Sequence, residues 1–551
     1  MQCCNAILKG DCVSLKFGYD LNLIKYIKGL HGKSYDPSTK EWTIPFQDYN
    51  FLKQVFSQYM FNEMVEKEKV INRQYENHFN KDEFDLKYTP TDDQIEMINL
   101  HINKDKSFNA SMMRTGKTFA SLCSALWRRK YCGLKHCLII VPNSLVCNWE
   151  KEILDSTNEI PFVLKGKFDD RYFNMLDLPE NFFIITNVET LRQKKHENLM
   201  MDAIQYQVNA KNIDMFIMDE VHKQYTYGTA TSKALTKLNP KYVIMMSGTP
   251  ITNGILDLYI PLSYINATPL NYYQYKMRYC IMGGYMNKQV IGYMNTKELQ
   301  DSFAEVSVRF TRKYPKQDIT EYVEMGEKQQ AIYNEIVLNT YKELHKIKRA
   351  TNPLSMMTQL RQTTGSADIV SDCMDSAKLD RMKELVDDLI ANNEKVVIFS
   401  IWTKMTDRIL EMLKEYNPLE YTGNKNIQDR ERAKELFVSD PKYKVLVGTT
   451  SCMSEGITLA NANNVIFVDE PWTRALKDQA SSRVVLPTKT DMSTIYTIVC
   501  KNTIDETVHN LVYKKGKLSD KIIDDGEVDT QLEIVNDIFE KEIEYGNLKR
   551  A

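Results

Sequence analysis

No uninterrupted apolar run in the 551 residues approaches the roughly 18 that a membrane-spanning helix needs. Nor does the opening stretch MQCCNAILKG carry the basic region, long apolar segment and small-residue cleavage site of a secretion signal, so an intracellular, cytoplasmic protein is expected. Cysteine pairing lacks support as well. Eleven cysteines, an odd number, are scattered from Cys3 to Cys500 without two CxxC units or a neighbouring histidine pair. That argues against a disulfide framework or a zinc site and for a reducing compartment. Charge of one sign is also absent: the formal net charge is −2, which does not advertise a nucleic-acid binder, although a large enzyme can hold a basic groove inside a neutral total.

What is present is length and alternation. At roughly 100–200 residues per domain the chain exceeds a single core, and three or more units are expected. From His136 to Pro250 short apolar runs alternate with helical patterns: CLIIVP, FFIITN, MFIMDE and YVIMMSGTP. Continuous apolar strands of this kind are buried on both faces of a parallel sheet. The pattern returns after Lys395 with KVVIFS, KVLVGTT, NVIFVDEPW and STIYTIVC, giving a second α/β lobe. Between the lobes, residues 267–375, strand signals fade, and EKQQAIYNEIVLNTYKELHKIKRA reads as charged amphipathic helix. Residues 1–65 read as a separate small α+β unit: helix, hairpin around Asp36 and Pro37, helix. Residues 66–87 read as a charged linker and 516–551 as a helical tail.

Chemistry is first suggested by SMMRTGKT, Ser111 to Thr118. A GxxxxGK[ST] loop turns backbone N–H groups onto phosphates, sends a lysine to the β and γ oxygens and offers a hydroxyl to magnesium. Gly116, Lys117 and Thr118 supply the last three positions, whereas Ser111 replaces the first glycine. The TFASLCSALW that follows puts Phe119, Leu122, Cys123 and Leu126 on one helical face, so the loop would sit at a helix N-terminus, where an anion is favoured. Further on, IMDEVH ends an apolar strand in Asp219 and Glu220. That spacing suits one carboxylate at a magnesium shell and a second that orients or deprotonates a water. A helix N-terminus bearing two acids would explain the acids but not their place at the end of a buried strand.

With SGTPITN (Ser247 to Asn253) and TLRQ after FFIITN, the first lobe resembles the Swi/Snf-type branch of superfamily-two helicases and DNA translocases. TPTDDQIEMI looks like that family's adenine-reading segment, and LIIVPNSLVCNWEKEI matches its first DNA-contact motif. SAKL, VVIFS, YTG, LVGTTSCMSEGITLANANNVIFVDEPWT and DQASSR correspond to its later motifs, so the resemblance covers about residues 88–515. It implies two tandem RecA-like P-loop lobes, 88–266 and 376–515, joined by the 267–375 connector, with Mg·ATP in the cleft between them. On that resemblance Gln94 meets the adenine, and Ser111, Thr115, Gly116, Lys117 and Thr118 form the phosphate cradle. Thr118 and Asp219 hold the metal, Glu220 the water, and Gly456 and Arg483 approach from the second lobe. Arg483 matches the first arginine of the sixth motif, reaching toward the γ-phosphate. Pro142, Asn143, Thr186, Asn187, Thr449 and Thr450 would meet a DNA sugar-phosphate track.

Two positions depart from the pattern. Leu486 stands where a second arginine is expected, and leucine neither donates a hydrogen bond nor carries charge. Either Arg483 suffices, Arg474 substitutes, or hydrolysis is slow. Arg114 stands where the family usually has glycine, either projecting to solvent or crowding the loop. The stretch KGLHGKSYDPSTKEWTIPFQDYNFLKQV resembles the HARP module of annealing helicases, with Tyr35, Asp36, Trp42, Pro45 and Tyr49 at matching positions. Trp42 is expected to serve core packing rather than base stacking. WRRK (127–130) and YKKGK (513–517) read as solvated faces. The expectation is a DNA translocase serving repair, recombination or replication. A strand-separating 3′–5′ helicase and an ATP-binding DNA scaffold with little turnover remain alternatives. Richness in Lys, Ile, Asn and Tyr points to a bacterium or its virus.

Overall fold

The computed structural model describes residues 3–9, 12–18, 20–30, 34–36, 40–45, 49, 52–53, 55–56, 60–65, 74–223, 225–252, 254–283, 289–311, 316–346, 353–371, 373–454, 457–486, 491–510 and 512. Gly456, Pro37, the second helix expected near residue 50 and the 516–551 tail lie wholly or partly outside the described residues. Two compact units result, Met1–Gln74 and Tyr75–Ala551.

The first unit differs from the expected helix, hairpin and helix by containing a five-stranded sheet. Its order is Ser34–Asp36, Glu41–Pro45, Cys12–Phe17, Cys3–Lys9, Met60–Val65. The last two strands pair in parallel and the others antiparallel. One face is apolar by alternation, with Cys4, Ala6, Val13, Leu15 and Ile44 buried against Leu23 and Ile27 of the helix Leu21–Gly29. That helix is started by the Asp20 carboxylate, which accepts from the N–H groups of Asn22 and Leu23. Tyr49 is buried in the same core and Trp42 packs partly against it, as expected for Trp42. Tyr35 lies half-exposed with its ring 4.7 Å from that of Trp42.

The second unit holds two parallel sheets, the expected pair of α/β lobes. In the first lobe the order is Ser307–Val308, Lys106–Asn109, Tyr242–Met246, Ile213–Met218, His136–Val141, Phe183–Asn187, Phe162–Val163. Its central strands are covered on both faces. Leu138 and Ile140 join one apolar cluster, while Cys137, Ile139 and Val141 join another on the opposite side. The second lobe orders Lys316–Val323, Ser493–Cys500, Asn464–Phe467, Val396–Ser400, Val445–Thr449, Leu419–Tyr421, again all parallel. Val397 and Phe399 face one core, Val396 and Ile398 the other.

The 267–375 stretch is not only helical: Ser307–Val308 closes one edge of the first sheet and Lys316–Val323 one edge of the second. The stretch read as a charged linker also makes defined contacts. Phe79, whose ring stacks on that of Phe84, is buried in the first lobe. Among the described residues no helix is long and apolar enough to cross a membrane.

Candidate functional site

The loop Ser111–Gly116 leaves the strand Lys106–Asn109 and enters the helix Lys117–Cys132, whose buried face includes the expected Phe119, Leu122, Cys123 and Leu126. Ser111, where the strict pattern has glycine, is wholly buried and has a local task. Its hydroxyl accepts from Phe310 N–H at 3.0 Å, and Met112 N–H donates to Phe310 O at 2.9 Å. The loop therefore begins as an extension of the sheet edge rather than as a free glycine turn. Thr115 Oγ1 donates to Met112 O at 2.8 Å, and Lys117 Nζ donates to the carbonyls of Ser111 and Met112 at 2.8 and 2.9 Å. Thr118 stands in the first turn of the helix.

Gly116 is required twice over. Its φ of 82° is left-handed, and a Cβ there would lie 1.9 Å from Gln94 Nε2. Gln94 thus lies over the phosphate loop, while its Oε1 accepts from Thr91 N–H at 2.8 Å in a capping box at the start of the helix Asp92–Asn103. Gly248 closes the loop from the other side, with Lys117 Nζ 3.7 Å from where its Cβ would be.

Asp219 follows the central strand Ile213–Met218, its N–H donating to Ile140 O at 3.2 Å. Trp149 Nε1 donates to Asp219 Oδ2 at 3.0 Å and Glu220 N–H to Asp219 Oδ1 at 2.9 Å. Glu220 has a φ of 50°, a left-handed conformation that costs a non-glycine residue and often marks functional sites. Its Oε1 accepts from Gln479 Nε2 of the second lobe at 3.4 Å. Its Oε2 is buried without a hydrogen bond, 3.3 Å from His222 Nδ1, which is 2.7 Å from Ser247 Oγ.

Burial and the neighbouring Glu220 charge push the Asp219 carboxyl up to about 6, against the pull of Lys117 and the Trp149 hydrogen bond. Burial lowers the Lys117 ammonium, and Glu220 and Asp219 oppose that. Two adjacent acids stand beside Lys117, with Arg309 also within electrostatic reach of that lysine, and Glu220 Oε2 is buried without a hydrogen bond. Such a set fits a dication that arrives with phosphates. Magnesium uses one or two carboxylates plus substrate oxygens, and no cluster of three or more His, Cys, Asp or Glu that could hold a metal occurs among the described residues.

Arg483 is engaged within its own lobe: its Nε donates to Ser454 O at 2.8 Å and Nη1 to Ile457 O at 3.5 Å. Leu486 is buried. Arg474 pairs with Asp478 at 2.9 Å. Sequence reasoning did not select Trp149, Gln479, His222 or Ser247. All four lie inside quoted motifs, but their pairings with Asp219, with Glu220 and with each other depend on packing that no motif encodes.

Three of the six expected DNA-contact residues, Asn143, Thr186 and Asn187, line one pocket of about 250 Å³ together with Lys165, Gly166 and Arg171. Asn187 Nδ2 donates to Asn143 Oδ1 at 3.0 Å, and Asn187 Oδ1 accepts from Thr190 N–H at 3.1 Å. Thr186 Oγ1 and Arg171 Nε are buried without hydrogen-bond partners. Pro142, Thr449 and Thr450 do not line it. Thr449 caps the short helix Thr450–Met453, and the buried Thr450 hydroxyl donates to Ser400 O at 3.2 Å.

Residues 19–369 match the SNF2-related domain and residues 377–485 the helicase conserved C-terminal domain. Similar curated proteins include an uncharacterized ATP-dependent helicase of Mycoplasma genitalium, 25% identical over 70% of this chain and 37% of its own. Another is the SWI/SNF-related matrix-associated actin-dependent regulator of chromatin subfamily A-like protein 1 of Xenopus laevis, 22% identical over 93% of this chain and 55% of its own. This chain therefore spans between about a third and about half the length of those relatives. Among solved structures, the Sulfolobus solfataricus SWI2/SNF2 ATPase core in complex with dsDNA is 22% identical and covers 84% of this chain and 98% of its own, with a TM-score of 0.38.

Proposed function

Because this chain belongs to the SNF2-related family, we propose that it is a DNA-dependent ATPase that uses Mg·ATP hydrolysis to translocate on duplex or branched DNA. The observation that carries this reading is the meeting of Lys117, Asp219 and Glu220 at the strand ends, with Gln479 of the second lobe reaching Glu220 across the cleft. Gly116, Thr115 and Thr118 would bind phosphate, Gln94 would bound the base, and Asp219 with Thr118 would hold magnesium. The ion would neutralise phosphoryl charge when bound. Glu220, in a left-handed conformation and beside His222, would orient the attacking water or take its proton.

Contact with DNA is supported by the pocket at Asn143, Thr186 and Asn187. A backbone phosphate in that pocket would meet the Asn143 and Asn187 amides and the Lys165 ammonium without reading a base. Lys165 joins the expected residues in this role.

Annealing or fork remodelling is the finer reading, resting on the resemblance of the first unit to a HARP module. Tyr35 and Trp42, two of the matching positions, form a partly exposed ring pair. One panel tests the whole proposal: ATP turnover with no DNA, single-stranded, duplex and forked DNA, beside strand-displacement and annealing assays. Stimulation by duplex or fork without displacement is expected, and displacement of a strand would instead make the protein an unwinding helicase. A second reading, an ATP-binding scaffold, is favoured by the engagement of Arg483 with its own lobe and the burial of Leu486. Tight ATP binding with no stimulated turnover would establish it.

A further inference from the structure

Arg114 sits at the tip of the phosphate loop with a φ of 61°, a left-handed conformation that glycine adopts freely and arginine adopts at a cost. The side chain reaches the second lobe. Its Nε donates to Ser482 O at 2.8 Å and its Nη2 to Thr458 Oγ1 at 3.3 Å, both in the second lobe. Next to it, Ser482 Oγ lies 3.4 Å from Met113 Sδ.

These two acceptors belong to one platform. Ser482 precedes Arg483, and Thr458 follows Ile457, whose carbonyl accepts from the Arg483 guanidinium. Leu459 N–H donates to Arg483 O at 2.8 Å, so Ser454, Ile457 and Leu459 hold Arg483 by both backbone and side chain. The Arg114 guanidinium bonds to both segments of that platform and sets them against the loop Ser111–Gly116. Charge-assisted hydrogen bonds to neutral acceptors are among the stronger ones, and the planar fork of arginine suits two acceptors at once.

We propose that Arg114 is an interlobe positioning residue, which sets the Arg483 platform against the phosphate loop and so couples loop occupancy to the placement of the second lobe's cation. The chain bears a cation at 114 where glycine was expected and lacks one at 486. Arg114 therefore restores by position what Leu486 removes by charge: the remaining arginine is held in register instead of being seconded by another. This rests on the ATPase reading given above.

Arg114→Gly is the test, because glycine relieves the left-handed turn while deleting both contacts, so loss of folding is not expected. With saturating duplex DNA, Arg114→Gly is expected to lower kcat about ten- to a hundredfold, the scale of a small misplacement at a reacting centre. Binding of a fluorescent ATP analogue should stay within about twofold, as for an interaction that acts only on turnover. Arg114→Lys should recover part of the loss, and Thr458→Val should add nothing to Arg114→Gly. An unchanged kcat, or weakened nucleotide binding with kcat intact, would overturn the proposal. Energy transfer between dyes placed at exposed Ile160 and Ile427 keeps the two readings apart. If the wild type hydrolyses no ATP, the ATPase reading fails. The interlobe contact is still tested, since Arg114→Gly must lower the transfer in nucleotide-free protein, and an unchanged signal refutes the contact.

Discussion

Trp149 is the residue whose role depends most on the fold. It lies in the helix Val146–Ser156, almost fully buried, and its indole N–H fixes the Asp219 carboxylate from outside the expected site set. Removing a hydrogen bond to a charged group costs about 1.5–3 kcal/mol. Trp149→Phe keeps most of the apolar volume and is expected to reduce turnover by about tenfold or more with the fold intact, as steady-state kinetics and circular dichroism will report. Leu486 gives the opposite lesson. Its place in the sixth motif suggests that Leu486→Arg would raise activity, yet the leucine is only 5% exposed. A buried guanidinium without a partner destabilises, so Leu486→Arg is expected to lower unfolding stability by about 2–4 kcal/mol in urea titration rather than raise turnover.

At the scale of elements, a buried charged cluster fastens the second lobe. Lys378, from SAKL, lies 2.6 Å from Asp505 and 3.7 Å from Asp469 at the end of the strand Asn464–Phe467. Arg361 approaches Asp505 and donates to Glu470 O. Lys477 and His509 hold the Glu470 carboxylate at 2.6 and 2.7 Å. Deleting one member leaves the others buried and uncompensated, so Lys378→Met should cost about 3–5 kcal/mol in the same titration, with the first unit's spectrum unchanged. Burial pulls Glu470 up, but the His509 hydrogen bond and the Lys477 charge outweigh it and hold the carboxyl below its ordinary value of 4.5. A depressed carboxyl contributes stability that is present above the ordinary value and is lost as pH falls through the depressed one. Glu470→Gln should therefore lower the urea midpoint at pH 7, with the difference from wild type shrinking below pH 4.5.

The same scale explains what the sequence revealed. Strands such as His136–Val141 and Val445–Thr449 were legible because both faces are buried, which demands an unbroken apolar run. Lys316–Val323 was not, since an edge strand with exposed Gln317, Asp318 and Tyr322 has no such run, although it pairs with Ser493–Cys500 over eight positions. The strands Cys3–Lys9 and Cys12–Phe17 bury only one face on a small core, so their alternation presents no unbroken apolar run. Local motifs carried Lys117, Asp219 and Glu220, whose roles need only a strand, a turn and a helix. Contacts between lobes, such as Gln479 with Glu220 or Arg114 with Ser482, depend on packing that no local spacing encodes.

For the whole molecule, the proposed function requires a cleft in which the first lobe grips phosphate and the second completes the site when DNA is bound. Lys117 is the residue with no substitute in that arrangement, folded onto the loop carbonyls and drawn on by Asp219 and Glu220. The most direct measurement is phosphate release from Mg·ATP by wild type and Lys117→Ala, with and without duplex DNA. The account predicts DNA-stimulated release by the wild type and none above background for Lys117→Ala; equal release by the two proteins, or wild-type release indifferent to DNA, would contradict it.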